Sequence, residues 1–431
     1  MLLKILQKLL ARLAKLTIKK YKPMIVGITG SVGKSSTKEA IFVVLADYFS
    51  CRRNMGNYNN ELGAPLTVLG YRSAGKNFVG WLKIFSQSFK NLIFSKDDFY
   101  PKVLVLEMAA DRMGDIEYLT RITPPNTGVV TAISPAHTEF LGGLENIVKE
   151  KGILISKLPS NGWAILNADD DKTMSMKDRT RAKIITFGLS EQADVRAIEV
   201  SLDQEVIGED ILIKGLRFKV NYAGSLVPIF LPGVVARSQI YAVLAAVAVG
   251  VTFNLNLIEI TESLKKYQPL PGRMSLISGI ENSYIIDDTY NSSPLAVQLA
   301  LETLKEIKIR PQSKKWVVLG DMKELGFLSQ QSHYEVGKMV GRLGFDYLIA
   351  VGRESGEIAR GANQFGLDKE KIFNFEKTEA VAEFLKDKLR KGDIILVKGS
   401  QAMRMEKIVE KIMSEPRRAK SVLVRQGEEW K

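Results

Sequence analysis

The 431-residue chain has one cysteine, Cys51, and two histidines, His137 and His333. A single cysteine excludes an intrachain disulfide and fits a reducing compartment. No apolar run approaches the roughly 20 residues that a membrane-spanning helix needs. The Leu-rich N-terminus is broken by lysines and an arginine, and no small-residue cleavage site follows it, so it reads poorly as a signal peptide. No repeat recurs at a fixed period, and no segment is of low complexity. What remains is a globular composition, 45% hydrophobic and 25% charged, with length for two or three domains. The expected location is the cytoplasm, with any membrane contact peripheral and on the inner face. The net charge of +13 fits nucleic acid, a membrane surface, anionic small molecules or simply a solvated basic surface.

Residues 1–22 read as a basic amphipathic helix. Lys4, Lys8, Arg12, Lys15 and Lys19 recur at three- and four-residue steps, and Leu2, Leu6, Leu9, Leu13 and Leu16 fill the other side. That pattern suits a helix on a membrane surface, or one docked on its own protein. After Pro23, short apolar runs alternate with helical stretches. Met24–Ile28, Val103–Leu106, Gly128–Ile133 and Ala164–Leu166 are strand candidates of a mostly parallel sheet. From about Asp194 to Leu231 the pattern suggests an antiparallel patch, and Arg237–Val251 an Ala-rich helix. Strands are expected again at Ile285–Asp287, Trp316–Leu319, Tyr347–Val351 and Ile394–Val397. The prolines and glycine of Gln268–Gly272 mark a boundary, giving domains over 23–268 and 269–431. Trp81–Phe94 is a second basic and aromatic amphipathic stretch, suited to a lipid interface or to packing on the sheet.

Chemistry enters with Gly27-Ile-Thr-Gly-Ser-Val-Gly-Lys-Ser-Ser-Thr37, between a strand and a helix. Glycines let backbone N–H groups turn toward phosphate oxygens, and the next helix points its positive end at them. Lys34 supplies a charge for the outer phosphates and Ser35 a hydroxyl for Mg²⁺. The common phosphate-loop spacing would put glycine at position 28, which is Ile28. Glu107, at the end of one strand candidate, and His137, after another, belong near the same sheet edge. Ser35, Glu107 and ATP phosphates make a sensible Mg²⁺ site, because that ion prefers hard oxygen ligands. His137 is a less usual Mg²⁺ ligand, and a lone histidine reads more often as structural.

The Thr-Gly-Ser-x-Gly-Lys-Ser loop resembles that shared by Mur ligases and folylpolyglutamate synthetases. Asn57-Tyr-Asn-Asn-Glu-Leu-Gly-Ala-Pro-Leu66, Val318-Leu-Gly-Asp-Met-Lys-Glu-Leu-Gly326 and Val397-Lys-Gly-Ser-Gln-Ala-Met-Arg-Met-Glu406 are similar to segments of the D-alanyl-D-alanine-adding branch of the Mur ligase family. The resemblance runs from about Lys22 to Met413. It implies a phosphate-loop ATPase domain with a parallel sheet, followed by a Rossmann-like C-terminal domain. The implied activity is ATP-dependent amide-bond formation, adding D-alanyl-D-alanine to a muropeptide precursor through an acyl phosphate. A folylpolyglutamate-synthetase-like ligase, and an amidotransferase subunit acting on a lipid-linked precursor, are the rival readings. No nucleic-acid partner is expected.

Carried over residue by residue, the resemblance places Thr29, Gly30, Ser31, Gly33, Lys34, Ser35, Ser36, Arg273, Asp288 and Tyr290 at ATP. Ser35, Glu107, His137 and Lys151 become metal ligands, with Lys151 carbamylated by CO₂ and two Mg²⁺ sites implied. Lys149 competes with Lys151, and an exposed helical lysine is the ordinary reading of either. Asn59, Asn60, Asn291, Asp321, Glu324, Lys398 and Ser400 fall near the substrates, while Lys34, Lys151, Arg273 and His137 carry the chemistry. Three departures stand out. The domain that holds the uridine-diphosphate end of the precursor in the family is expected to be absent. Gly233-Val-Val-Ala-Arg-Ser-Gln239 lacks the family's residues near adenine, with Gln239 a possible substitute. The Trp81 stretch is an insertion. Together they suggest an acceptor held at the membrane as a lipid-linked muropeptide, with a nucleotide-linked acceptor docked without that domain as the alternative.

Overall fold

The structure is a computed structural model that describes residues 2–95, 100–134, 141–207, 210–427 and 430. The chain opens with α1 (Leu2–Tyr21), the helix expected from its periodicity. Leu10, Ala14 and Thr17 are buried along one side, which packs on α3 (Gly63–Leu69) and α4 (Phe78–Phe94). α1 is therefore docked on its own protein along one face, while its basic face stays exposed.

Nine strands form the first sheet: β1 (Met24–Thr29), β2 (Cys51–Arg53), β3 (Val103–Glu107), β4 (Thr127–Val130), β5 (Trp163–Asn167), β6 (Lys183–Gly188), β7 (Val195–Ile207), β8 (Asp210–Tyr222) and β9 (Ser225–Pro232), in the order β2-β3-β1-β4-β5-β6-β7-β8-β9. The strands from β2 to β7 pair in parallel. β7, β8 and β9 form the antiparallel patch read from the irregular segment. β4 stops at Val130, short of the expected Ile133. Past Val130 the pairing turns irregular: the Thr131 N–H still donates to the Thr29 carbonyl at 3.0 Å, while its hydroxyl donates to the Val32 carbonyl at 2.6 Å. The Ala132 carbonyl is likewise diverted, accepting from the Ser31 N–H at 2.7 Å. The Ala-rich helix spans Ser238–Thr252. Its small buried side chains let it lie close against α2 (Lys34–Ala46) in the largest core.

Six strands form the second sheet, β10 (Ser275–Ser278), β11 (Tyr284–Asp288), β12 (Lys315–Gly320), β13 (Tyr347–Val351), β14 (Ile372–Phe375) and β15 (Ile394–Lys398), ordered β10-β11-β15-β12-β13-β14. Only β10 runs antiparallel to its neighbour. Its central strands are apolar on both faces, as a parallel sheet covered by helices requires. Ile286, Val317 and Leu396 enter one core, and Ile285, Val318 and Ile395 the other. β2, β6, β10 and β14 escaped the sequence reading. β2, β10 and β14 are short, and only a four-residue helix and one 3-10 turn separate β6 from β5.

Candidate functional site

The register of the first sheet brings the chemistry together. Ile28 pairs with Glu107 on one side of β1, and Thr29 with Val130 on the other. The chain therefore leaves β1 into the phosphate loop beside both carboxyl ends. Gly30 and Gly33 have φ of +148° and +86°. A side chain at Gly30 would also meet Thr131 Oγ1 at 1.9 Å, so only glycine fits there. Thr29 Oγ1 donates to the Met108 carbonyl at 2.9 Å and Ser31 Oγ to the Ser134 carbonyl at 2.9 Å, tying the loop to both neighbouring strand ends.

α2 then begins with Lys34, whose ammonium donates to the Gly30 carbonyl at 2.8 Å. Burial lowers the Lys34 pKa, Arg273 adds to that, and Glu107 opposes it. Ser35 Oγ donates to Glu107 Oε2 at 2.9 Å, and Asn59 Nδ2 to Glu107 Oε1 at 3.0 Å. Asn54 clasps the Glu107 backbone from both sides, accepting from its N–H at 2.9 Å and donating to its carbonyl at 3.0 Å. Burial alone pushes the Glu107 pKa up, but Lys34, Lys38, the Asn59 amide and Arg273 together hold it below its ordinary value. An ionised carboxylate beside a serine hydroxyl is a hard oxygen set that fits Mg²⁺. His137 lies outside the described residues.

Lys151 sits on α6, the helix Leu144–Ser156, with α5 (Asp115–Ile122) packed against it. It is buried, whereas Lys149 is exposed, which corrects the ordinary expectation of an exposed helical lysine at 151. Burial lowers its pKa to about 7. Lys34 adds to the effect, and Glu150, Asp111 and Glu107 oppose it. With its pKa so lowered, about half of the amine is neutral and nucleophilic at pH 7.

From the second domain, Arg273 Nη2 donates to Ser35 Oγ at 3.2 Å, and the guanidinium stacks on the Tyr290 ring at 3.9 Å. The Tyr290 hydroxyl donates to Asn57 Oδ1, again joining the two domains. Two cavities meet at this bridge. One, of about 400 Å³, is lined by Ser31, Gly33, Ser36, Asn167, Asp169, Tyr241, Gln239, Arg273, Asp288, Asn291 and Lys398. The other, of about 1030 Å³, is lined by Lys34, Ser35, Asn59, Asn60, Glu107, Arg273, Tyr290, Asn291, Glu324 and Ser400. Thr29, Gly30 and Lys151 lie behind these walls.

The structure assigns different local duties to three expected substrate or base contacts. Lys398 is buried and donates to Asp288 Oδ2 at 2.6 Å and to the Asn291 carbonyl at 2.8 Å, so its ammonium faces Asp288. Asp321 is buried, accepts from the Ser355 N–H at 2.8 Å and from Lys323 Nζ at 2.8 Å, and lines neither cavity. Gln239 accepts from the Tyr267 hydroxyl and donates to the Arg273 carbonyl at 3.2 Å, so both ends of its amide are engaged. His333 shapes the loop before Glu324. Its Nε2 accepts from the Met322 N–H at 2.9 Å and Nδ1 lies 2.8 Å from the Ser329 carbonyl.

Sequence reasoning passed over Asn54, Lys38, Asn167, Asp169, Tyr241, Arg404 and Trp430. None sits in a phosphate-loop-like pattern. Trp430 reaches the larger cavity only because the C-terminal segment folds back, with Arg404 over its ring at 5.4 Å and Arg425 bonded to Glu406.

Comparison with known proteins follows the same division. Residues 88–250 match the model for the Mur ligase middle domain, and residues 272–401 that for the Mur ligase, glutamate ligase domain. The UDP-N-acetylmuramoyl-tripeptide--D-alanyl-D-alanine ligase of Bacillus subtilis is 27% identical over 407 residues, 94% of this chain and 79% of that one. Its counterpart from Mycobacterium tuberculosis is 30% identical over 408 residues, 91% of this chain and 73% of that one. The solved MurF ligase of Thermotoga maritima in complex with ADP superposes with a TM-score of 0.76 at 28% identity, covering 94% of this chain and 83% of that one.

Proposed function

The chain belongs to the Mur ligase family of ATP-dependent ligases, and on that premise we propose that it adds D-alanyl-D-alanine to a muropeptide precursor of the cell wall. The observation that carries the reading is the bridge from Arg273 to Ser35, which sets a second-domain cation beside the phosphate loop and Glu107 at the meeting of two cavities. ATP fits the smaller cavity, with its phosphates passing Gly33, Lys34 and Ser35 into the larger one, where the two other substrates meet.

In this scheme the acceptor's terminal carboxylate attacks the γ-phosphorus, the bond to the β-phosphate oxygen breaks, and ADP leaves an acyl phosphate. The dipeptide amine then attacks the acyl carbon, phosphate departs with the bonding pair, and the amine's extra proton passes to solvent. Lys34 and Arg273 stabilise charge that grows on the transferring phosphoryl oxygens, so their work is positioning and electrostatics. Ser35 and Glu107 would hold Mg²⁺, with His137 as a further ligand, and the ion would supply charge neutralisation at the phosphates. The Lys151 amine, buried and about half neutral at pH 7, takes up CO₂ and loses a proton to become a carbamate, an anion that would suit a second Mg²⁺. Asn59, Asn60, Asn291, Glu324 and Ser400 contact acceptor or dipeptide. Lys398 acts through Asp288, which with Tyr290 faces the nucleotide.

The enzyme works in the cytoplasm and touches the membrane peripherally, taking its acceptor there in lipid-linked form. Ahead of β1 the structure describes α1, and that helix and α4 motivate this part of the reading. ATP hydrolysis that requires both the dipeptide and a muropeptide acceptor tests the ligase reading. Hydrolysis indifferent to either substrate contradicts it.

A further inference from the structure

We propose that α1 and α4 form one docking surface for an anionic lipid bilayer. This deepens the membrane part of the proposed function and rests on it. More than half of the exposed large hydrophobic side chains among the described residues lie on these two helices. On α4, Phe78, Leu82, Phe89 and Ile93 follow steps of four, seven and four residues, hence one stripe, and are 68%, 53%, 60% and 54% exposed. On α1, Ile5, Leu9 and Leu16 repeat the spacing and are 46–48% exposed.

Both stripes adjoin the same seam. Leu6 and Leu13 of α1 pack in one cluster with Trp81, Ile84 and Phe85 of α4. Lys20 Nζ fastens the pair by donating to the carbonyls of Asn91, Leu92 and Ser95 at 3.2, 3.0 and 2.7 Å. This is the end of a helix where a cation is favoured.

The charge around the stripes selects the occupant. No aspartate or glutamate occurs in residues 1–38, nor between Glu61 and Asp97. Lys4, Lys8, Arg12, Lys15 and Lys19 stand exposed on α1, and Lys83 and Lys90 on α4. An apolar stripe flanked only by cations complements an anionic headgroup layer. A second copy of the chain would set the same cations against themselves. Neither helix is long and apolar enough to cross a membrane, so both lie in the interface plane.

The surface is also well placed for the chemistry. α3 packs on α1 and starts just after Asn57, Asn59, Asn60 and Glu61, which line the larger cavity. Seven helical residues span on the order of 10 Å, so a lipid-anchored acceptor has a short path from headgroup to cleft.

The test is co-sedimentation of the full chain with phosphatidylglycerol/phosphatidylcholine vesicles and with pure phosphatidylcholine vesicles. Two variants accompany it, Leu82→Glu/Phe89→Glu and Lys8→Glu/Arg12→Glu/Lys15→Glu. The expected result is binding to the anionic vesicles alone, reduced at least tenfold in each variant. Absence of binding, equal binding to both vesicle types, or equal binding by variants and parent overturns the proposal. So does a parent dimer that the Leu82→Glu/Phe89→Glu change makes monomeric without any vesicle binding. Turnover of a soluble nucleotide-linked acceptor, measured alongside, should be unchanged in both variants. Its absence in the parent on the nucleotide-linked and the lipid-linked acceptor alike points to failure of the ligase reading instead.

Discussion

Arg273 and Ser35 stand 238 residues apart in the chain and 3.2 Å apart in the structure. That contact joins the C-terminal domain to the phosphate loop and sets a cation where the proposed mechanism develops phosphoryl charge. Substituting Arg273→Lys keeps the charge but loses the planar fork and its stack on Tyr290. The expected outcome is a fall in kcat of roughly 10²–10³-fold, the cost of removing one preorganised charge-stabilising donor. Steady-state kinetics check it, and a change confined to KM contradicts the transition-state role.

Lys34→Ala removes the loop's own cation. Turnover should fall by at least roughly 10²–10³-fold. A nucleotide-binding titration should still show ATP held by the backbone cradle, though more weakly. Turnover within a few-fold of the parent contradicts the phosphate-loop assignment.

The two sheets, the N-terminal helix and the phosphate loop were legible in the sequence because each rests on local pattern: periodicity, or glycines and a lysine at set spacing. Lys151 was legible only through resemblance. Nothing in its neighbourhood shows that α6 turns residue 151 inward and 149 outward, since that depends on which face meets the sheet. Lys398 and Asp321 show a different limit. Polar residues at strand ends looked like substrate contacts, yet their hydrogen bonds close on Asp288, Ser355 and Lys323. Tertiary pairing of that kind leaves no local trace. Trp430 was missed for the same reason, because only the folded-back C-terminal segment carries it to the cleft.

Lys151→Ala should inactivate the enzyme, with partial rescue by short carboxylic acids, while Lys149→Ala stays within a few-fold of the parent. A pH experiment tests the burial behind this assignment. The folded-state pKa of Lys151 is about 7 against an ordinary 10.5. Between those values the unfolded chain carries the extra proton, and stability rises with pH wherever the unfolded state binds more protons. The stability of the parent relative to Lys151→Met, measured by denaturant unfolding in CO₂-free buffer, should be flat below pH 7 and climb from about pH 7 toward 10.5. A pH-independent difference contradicts the buried neutral amine.

Lys398→Met should leave the Asp288 carboxylate buried without its cation. Breaking a buried pair from one side costs about 3–5 kcal/mol. The double variant Lys398→Met/Asp288→Asn should recover most of that stability without recovering full activity. Denaturant melts of the three proteins check it, and a single variant as stable as the parent contradicts the pairing.

Cys51 should be inert in the folded protein. Burial pushes its thiol up to about 12, and the thiolate is the reactive form, so only about one molecule in 10⁴ is ionised at pH 8. A thiol-reactive disulfide reagent should label the chain only after denaturation. Rapid labelling of the native protein contradicts the raised thiol pKa.

Mass spectrometry of the products formed from ATP, D-alanyl-D-alanine and two acceptors, one nucleotide-linked and one lipid-linked, tests the central claim most directly. The account predicts an acceptor heavier by one D-alanyl-D-alanine less water, formed with one ADP and one phosphate per bond, and formed faster on the lipid-linked acceptor in the presence of anionic vesicles. ATP consumed with neither acceptor gaining that mass would contradict it.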